Sequence, residues 1–341
     1  VCVKYIDAYG VTYRCGLLLD NVCIDLANVD DQGRALSDGI LRVTAAHEFF
    51  HAVQFAYTLD EETWVKEGTA TWMEDAVYDS VNDYLNYIYD ILWNPDQSVT
   101  LANGSHEYAM VLYFKYISEH YGTNGAGGRC FTLGSGAPSS CGVDLIRDIW
   151  NECVSSNGIS AVDNVLLDVK YSGTWDKSYE LWAETNYVKD LGDPYGGGFL
   201  DYLEDEDELG YPSVSFVHSI QLPANVVVPV SGFVSNWGTD YIMFSPQFSG
   251  GKITVSFDGE VLPLVPPSSP HAFGGLALFI RPDNVRTVWD LGSLLNSNND
   301  CTFEQGNEGF DRVVLIIWGK ENGGFYSVTI YSPPIWISSP L

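Results

Sequence analysis

Basic residues are scarce in this chain. Sixteen Lys and Arg stand against 45 Asp and Glu in 341 residues, a formal charge of −29. Such a surface repels phosphate backbones and anionic lipid, so nucleic acid and membrane surfaces leave the list of partners. No C-x-x-C pair occurs among the seven cysteines, so neither a cysteine-built zinc site nor a thioredoxin-type motif is expected. No G-x-S-x-G recommends serine-hydrolase chemistry, and no phosphate-cradling glycine loop is present. One long stretch without charge, 211–239, is interrupted by Pro212, Pro223 and Pro229. It reads as successive strands and turns rather than a spanning helix, so no membrane span is expected. Internal repeats and low-complexity tracts are missing as well. The chain opens on Val1 without a charged-then-apolar leader, which is the expectation for a processed form or a trimmed piece.

What is present suits a folded, exported protein. Apolar residues make up 46% and charged ones 18%, which excludes disorder, and the length fits two domains at about 150 residues each. Abundant Trp, Tyr, Asn, Ser and Gly with so little Lys favour an extracellular location. Cys130 and Cys141 bracket FTLGSGAPSS, a loop that a disulfide could close with little strain. The odd cysteine count leaves at least one thiol unpaired or shared with another chain. Connectivity and oligomeric state stay open.

The first forty residues show short alternating runs with Gly and Asp turns, consistent with a small hairpin or sheet. From Ile40 to about Gly122 the periodicity turns helical. LRVTAAHEFFHAVQFAY predicts one helix, with Ser37 or Asp38 as its cap. ETWVKEGTATWMEDAVYD predicts a second, preceded by Asp60, Glu61 and Glu62 at the positive end of its dipole. HEYAMVLYFKYISEHYG predicts a third, between Ser105 and the stop at Gly122. DLIRDIWNECV, ISAVDNVLLDV and KSYELWAETNYV read as further amphipathic helix. The composition changes near Asp201, where DYLEDEDELGYP leads into seven strand-length runs, from VSFVHSIQL to GFYSVTIYS. A Greek-key or jelly-roll β-sandwich is expected there. The acidic run Asp201, Glu204, Asp205, Glu206, Asp207 and Glu208 could supply oxygen ligands to Ca²⁺, although it lacks a D-x-D-x-D-G spacing and a solvated linker is the plainer reading.

The chemistry concentrates at His47-Glu48-Phe49-Phe50-His51, an H-E-x-x-H on the first helix. Residues four apart share a helix face, so both imidazoles can bind one Zn²⁺ while Glu48 reaches the water that such an ion activates. Two core histidines on an apolar helix are the plain alternative. Burying both beside a carboxylate with no ion among them is costly, which favours a metal. A catalytic zinc needs a third protein ligand and an open position. Gln54 and Tyr57 stand where metzincins carry Gly and His, so that class fails. Glu67, 16 residues after His51 and across one turn, is the candidate third ligand, and Gly68 suggests close passage of the second helix past the metal helix. Glu74, two turns along the same face, could accept the free N–H of a liganding His. A solvated helix face is the alternative for both glutamates.

H-E-x-x-H followed by W-x-x-E-G-x-A, with a further Glu seven positions on, resembles the gluzincin zinc peptidases, the clan of thermolysin and the alanyl-type aminopeptidases. Residues 40–200 are similar to a less-studied group of secreted microbial metalloproteases. The resemblance implies His47, His51 and Glu67 as zinc ligands, Glu48 as general base and Glu74 as the carboxylate behind a ligand. It also implies a downstream Tyr or His that stabilises the oxyanion. Tyr108 matches best and His106 is the runner-up, a packed aromatic being the plain alternative for Tyr108. The G-x-M-E-N stretch with which alanyl-type aminopeptidases hold a free amine is missing, which favours an endopeptidase.

The sequence therefore leads to an α+β multidomain protein. A mainly helical gluzincin-like catalytic domain with a small N-terminal sheet is expected over 1–210, and a β-sandwich accessory domain over 211–341. The expected activity is that of a secreted zinc endopeptidase acting on protein or peptide substrates, with one catalytic Zn²⁺. The alternatives are an aminopeptidase of the same clan and an inactive binding or adhesion protein that works through its β-domain.

Overall fold

The computed structural model describes residues 2–7, 10–15, 36–125, 128–191, 202–203, 210–248, 250–261, 272–307, 309–320 and 323–332. The fold is α+β with a C-terminal β-sandwich-like region. Two compact units emerge. The first comprises 1–90, 100–179 and 202–212, and the second 91–99, 180–201 and 213–341. The described residues of 91–99 and 180–191 group with the later strands. The acidic run proposed for Ca²⁺ lies outside the described residues.

In the first unit, β1 (Cys2–Asp7) and β2 (Gly10–Cys15) pair antiparallel. Helix α1 (Leu36–Tyr57) begins ahead of Ser37 and Asp38, so both expected caps fall within its first turn. Val43, His47, Phe50 and Gln54 are all buried, a stripe at steps of four, three and four residues along one face. Phe49 lies off that stripe and is 71% exposed.

Helix α2 (Thr63–Val77) is buried on most sides by Trp64, Val65, Thr69, Trp72 and Asp75. Its next partners come after the short helix α3 (Tyr89–Trp93). The expected third helix is divided into α4 (His106–Ala109) and α5 (Val111–Tyr121), with Met110 between them. The side chain of Ser105 does not cap α4. Asn103 Oδ1 instead accepts the His106 backbone N–H at 3.0 Å, and Glu107 accepts those of Asn103 and Gly104. Gly122 ends α5 in an extended conformation, not a left-handed one.

Lys115 on α5 donates to Asp75 on α2 at 2.8 Å with both groups buried. Glu119 Oε1 lies 3.8 Å from the same ammonium, so Lys115 faces two buried carboxylates. The reason for Gly68 also lies on this side. A Cβ there would stand 2.8 Å from the Phe114 ring and 3.1 Å from Met110 Cβ, so the close approach is to α5 and its lead-in, not to α1 as expected. Helices α6 (Val143–Glu152) and α7 (Gly158–Leu166) follow a loop closed by the Cys130–Cys141 disulfide. Cys153 is a free, buried thiol.

Helix α8 (Trp175–Val188) leads into the second unit. There β3 (His218–Leu222), β5 (Thr239–Pro246), β7 (Phe273–Ile280), β8 (Arg286–Asp290) and β10 (Arg312–Gly319) form a five-stranded sheet in the order β3-β5-β10-β7-β8. A second sheet has the order β4-β11-β6-β9 and contains β4 (Val227–Val234), β6 (Lys252–Val261), β9 (Asp300–Gly306) and β11 (Gly324–Tyr331). All pairings are antiparallel except β3 with β5. Alternate residues such as Val313, Leu315 and Ile317 of β10 meet Val328 and Ile330 of β11 in one core.

The other face of β10 is buried too, and the segment 180–191 is tied to this sheet. Tyr241 Oη donates to Ala183 O, and Asn284 Nδ2 to Leu191 O. Pro229 is tolerated because β4 is an edge strand. The sequence runs did not include β8 and β9. Both are edge strands; β8 has no buried residue, and β9 buries only Cys301 and Phe303 between polar neighbours, too short an alternation to stand out in the sequence.

Candidate metal centre

Helices α1 and α2 bring His47, His51 and Glu67 together. One donor atom from each lies within 4.8 Å of the others, a group able to hold a metal ion. Glu67 Oε2 is 3.1 Å from His47 Nε2 and 3.2 Å from His51 Nε2. The two imidazoles meet edge to face, with centroids 4.6 Å apart. Donors around one metal ion stand about 3.3 Å apart in a tetrahedral site, so the two Glu67 spacings are compatible with a shared ion as well as with hydrogen bonds.

The opposite edges of both rings are committed. His47 Nδ1 lies 2.7 Å from Glu74 Oε1, and His51 Nδ1 lies 2.7 Å from Gln54 Oε1. Carboxylate and amide oxygens only accept, so each Nδ1 must donate and the Nε2 of a neutral ring carries a lone pair. Two such pairs and an anionic oxygen then face one another, a group that could hold a metal ion or share a proton.

The electrostatics express the same demand as a trapped proton. Burial alone would lower the His47 pKa, but hydrogen bonds to Glu67 and Glu74 outweigh it and raise it to about 9. Burial works against the Glu67 carboxylate, but His47 and His51 overcome it and hold its pKa at about 2. Glu74 is raised by burial, and its bond to His47 only partly offsets this.

The remaining expected residues divide. Glu48 is half-buried on α1, and its charge bears on the hydroxyl of Tyr108. Tyr108 stacks on His47, with centroids 5.9 Å apart, and on Tyr87 at 5.2 Å. Burial and the Glu67 and Glu107 carboxylates raise its pKa to about 12. His106 is fully buried elsewhere, its Nδ1 3.2 Å from Asp90 Oδ2. Gln54 and Tyr87 were not anticipated as parts of the site. Gln54 could have been found, because it continues the buried stripe of His47 and is itself fully enclosed.

No family model and no curated protein matches the chain. Among solved structures, the chain is similar over 34% of its length to the pre-peptidase C-terminal domain of collagenase from Bacillus anthracis. That match has 12% identity, covers 96% of the domain and has a TM-score of 0.24. The periplasmic lysozyme inhibitor PliG of Aeromonas hydrophila matches over 34% of this chain and 98% of its own, at 8% identity and TM-score 0.21. The PliG of Salmonella Typhimurium matches over 33% and 97%, at 15% identity and TM-score 0.21. At these scores none of the three bears on what the chain does.

Proposed function

We propose that the protein is a secreted zinc metallopeptidase of gluzincin type that cuts within protein or peptide chains. One observation carries the reading: the Nε2 atoms of His47 and His51 and Oε2 of Glu67 converge on one point while both Nδ1 atoms are tied behind them. Two imidazoles and a carboxylate are a donor set suited to zinc, and three protein ligands leave a fourth position for water or substrate. The Cys130–Cys141 disulfide is compatible with an oxidising, extracellular setting.

A divalent ion held by these three side chains supplies Lewis acidity, polarising a substrate carbonyl and easing deprotonation of water. Glu48 takes the proton from the attacking water and later delivers it to the leaving amine. Tyr108 donates a hydrogen bond to the carbonyl oxygen as charge develops there. Its raised pKa keeps that hydroxyl protonated throughout the neutral range. Glu74 and Gln54 keep the imidazoles facing the site.

The test pairs metal analysis of the purified protein with casein digestion, with and without a chelator. One zinc per chain and chelator-sensitive digestion are expected. Absence of metal uptake, or digestion indifferent to the chelator, overturns the reading. An N-acetylated peptide separates the modes of attack, because an endopeptidase cuts it and an aminopeptidase does not.

A further inference from the structure

The outer face of the β4-β11-β6-β9 sheet carries a pattern with no part in the metal centre. Val230, Val328, Phe257 and Phe303 turn into the core, so their neighbours along each strand face outwards. The pairing register sets those outward residues in rows across the strands. One row runs Phe233, Phe325 and Glu260 over β4, β11 and β6. The next runs Ser231, Ser327, Asp258 and Asp300 over all four strands.

Two open hollows lie over these rows. The first, of about 450 Å³, has Phe325, Asp258 and Glu260 in its walls. The second, of about 460 Å³, has Asp258 and Asp300. They meet at Asp258 and together form a groove across the sheet. Four strands at a spacing of about 4.8 Å span about 14 Å, the length of roughly four extended residues.

Charge and ring geometry select the occupant. Among the described residues, no Lys or Arg lines either hollow. Lys252, at the far end of β6, pairs with Glu304 at 2.9 Å. Asp258 stands directly opposite Asp300, a like-charged pair that is destabilising when nothing positive lies between. Partial desolvation, then Asp300 and Glu260, raise the Asp258 pKa above its ordinary value. A metal ion is a poor match, because the group at His47 is the one place among the described residues where three such ligands converge. A sugar ring calls for a flat platform, whereas the exposed rings of Phe233 and Phe325 are tilted 55° to each other, with centroids 5.0 Å apart. A guanidinium needs only one ring face, and its five N–H donors reach carboxylates beside that ring. The whole chain is acidic, so charge alone marks no place. The exposed ring pair beside the carboxylates does.

We propose that this groove binds an extended, arginine-bearing segment of another protein, with one guanidinium stacked on Phe325 beside the carboxylates of Asp258 and Glu260. The β-sandwich is then a recognition module that needs no metal ion, and the proposal stands or falls apart from the reading of the His47 site.

The test is fluorescence anisotropy of a labelled, end-blocked (Gly-Arg)4 peptide with the full chain, in chelator to suppress any cleavage. Saturable binding is expected, at least about fivefold tighter than for (Gly-Lys)4, whose ammonium groups neither stack nor bond as a fork. Phe325→Leu keeps apolar bulk and charge but removes the π face, and should weaken binding about fivefold. Asp258→Asn combined with Glu260→Gln should weaken it at least about tenfold. Asp283→Asn, in the turn between β7 and β8 of the other sheet, removes the same kind of charge and should leave affinity within about twofold. Phe325, Asp258 and Glu260 are exposed, so these variants are expected to keep the wild-type unfolding midpoint. Absence of saturable binding, equal affinity for the two peptides, or affinity that survives Phe325→Leu overturns the proposal. So does a loss at Asp283→Asn as large as that at Asp258 and Glu260, or uptake of Ca²⁺ or a neutral oligosaccharide in place of the peptide.

Discussion

His47 donates from Nδ1 to Glu74 Oε1 at 2.7 Å, joining α1 to α2 across 27 residues of sequence. The bond fixes which nitrogen of His47 faces Glu67 and adds negative charge behind the ring. Glu74→Ala is expected to weaken zinc binding by ten- to hundredfold, as removal of such carboxylate partners generally does. Glu74→Gln retains an acceptor and should lose less. Titration with a competing chelator measures both, and equal affinities in all three proteins would remove Glu74 from the site.

Zinc binding should release protons below pH 9. In the metal-free protein His47 has a pKa of about 9, so near neutrality a proton occupies the place of the ion. Metal must displace it, and apparent affinity therefore rises with pH and levels off above about 9. Calorimetry in buffers of different ionisation enthalpy reads the protons directly. A binding curve flat from pH 7 to 9 would contradict the assignment.

Glu48→Gln is expected to keep one zinc per chain and the wild-type unfolding midpoint while cutting kcat by at least about a hundredfold, the contribution of a general base. Tyr108→Phe should lower kcat by about 10²-fold with a much smaller change in KM, because its hydrogen bond strengthens only as the oxyanion forms. A Tyr108→Phe enzyme with unaltered kcat would reduce Tyr108 to a packing partner of His47 and Tyr87.

The β-sandwich offers a separate test. Burial raises the pKa of Asp240 from 3.8 to about 6, despite a hydrogen bond from Tyr326. The folded state thus takes up this proton at a higher pH than the unfolded chain. The cost of holding Asp240 ionised is present in full above pH 6, fades as pH falls, and is gone below about 4. Asp240→Asn should therefore stabilise the protein at pH 8, by up to about 3 kcal/mol, and should flatten the dependence between pH 4 and 6. Denaturant midpoints at pH 4 and pH 8 decide it. Identical pH slopes in the two proteins would show that Asp240 carries no such cost.

Helices α1 and α2 were legible because their signals are local. A four-residue step sets His47 and His51 on one face, and a seven-residue step does the same for Glu67 and Glu74. The role of Gln54 was not legible, because its amide is oriented by Thr69, whose hydroxyl oxygen also accepts from Trp150, 81 residues further on. The strands β8 and β9 were hidden by their polar, edge character. The packing of 91–99 with the strands rests on backbone bonds over long separations, such as Thr239 N to Pro95 O, which no periodicity announces. Gly68 was noticed for a sound reason, its lack of a side chain, but the neighbour that requires it is Phe114.

That last contact makes one aromatic ring an arbiter of alignment for atoms it never touches. Phe114 presses on the α2 backbone at the position directly after Glu67, so any bulk added at 68 must move either the ring or the helix. A displacement of α2 by half an ångström would detune the 3.1 and 3.2 Å separations on which the ligand set depends. Redesign of this hydrophobic contact, which touches neither imidazole, is therefore a way to alter metal affinity while every candidate ligand side chain stays as it is.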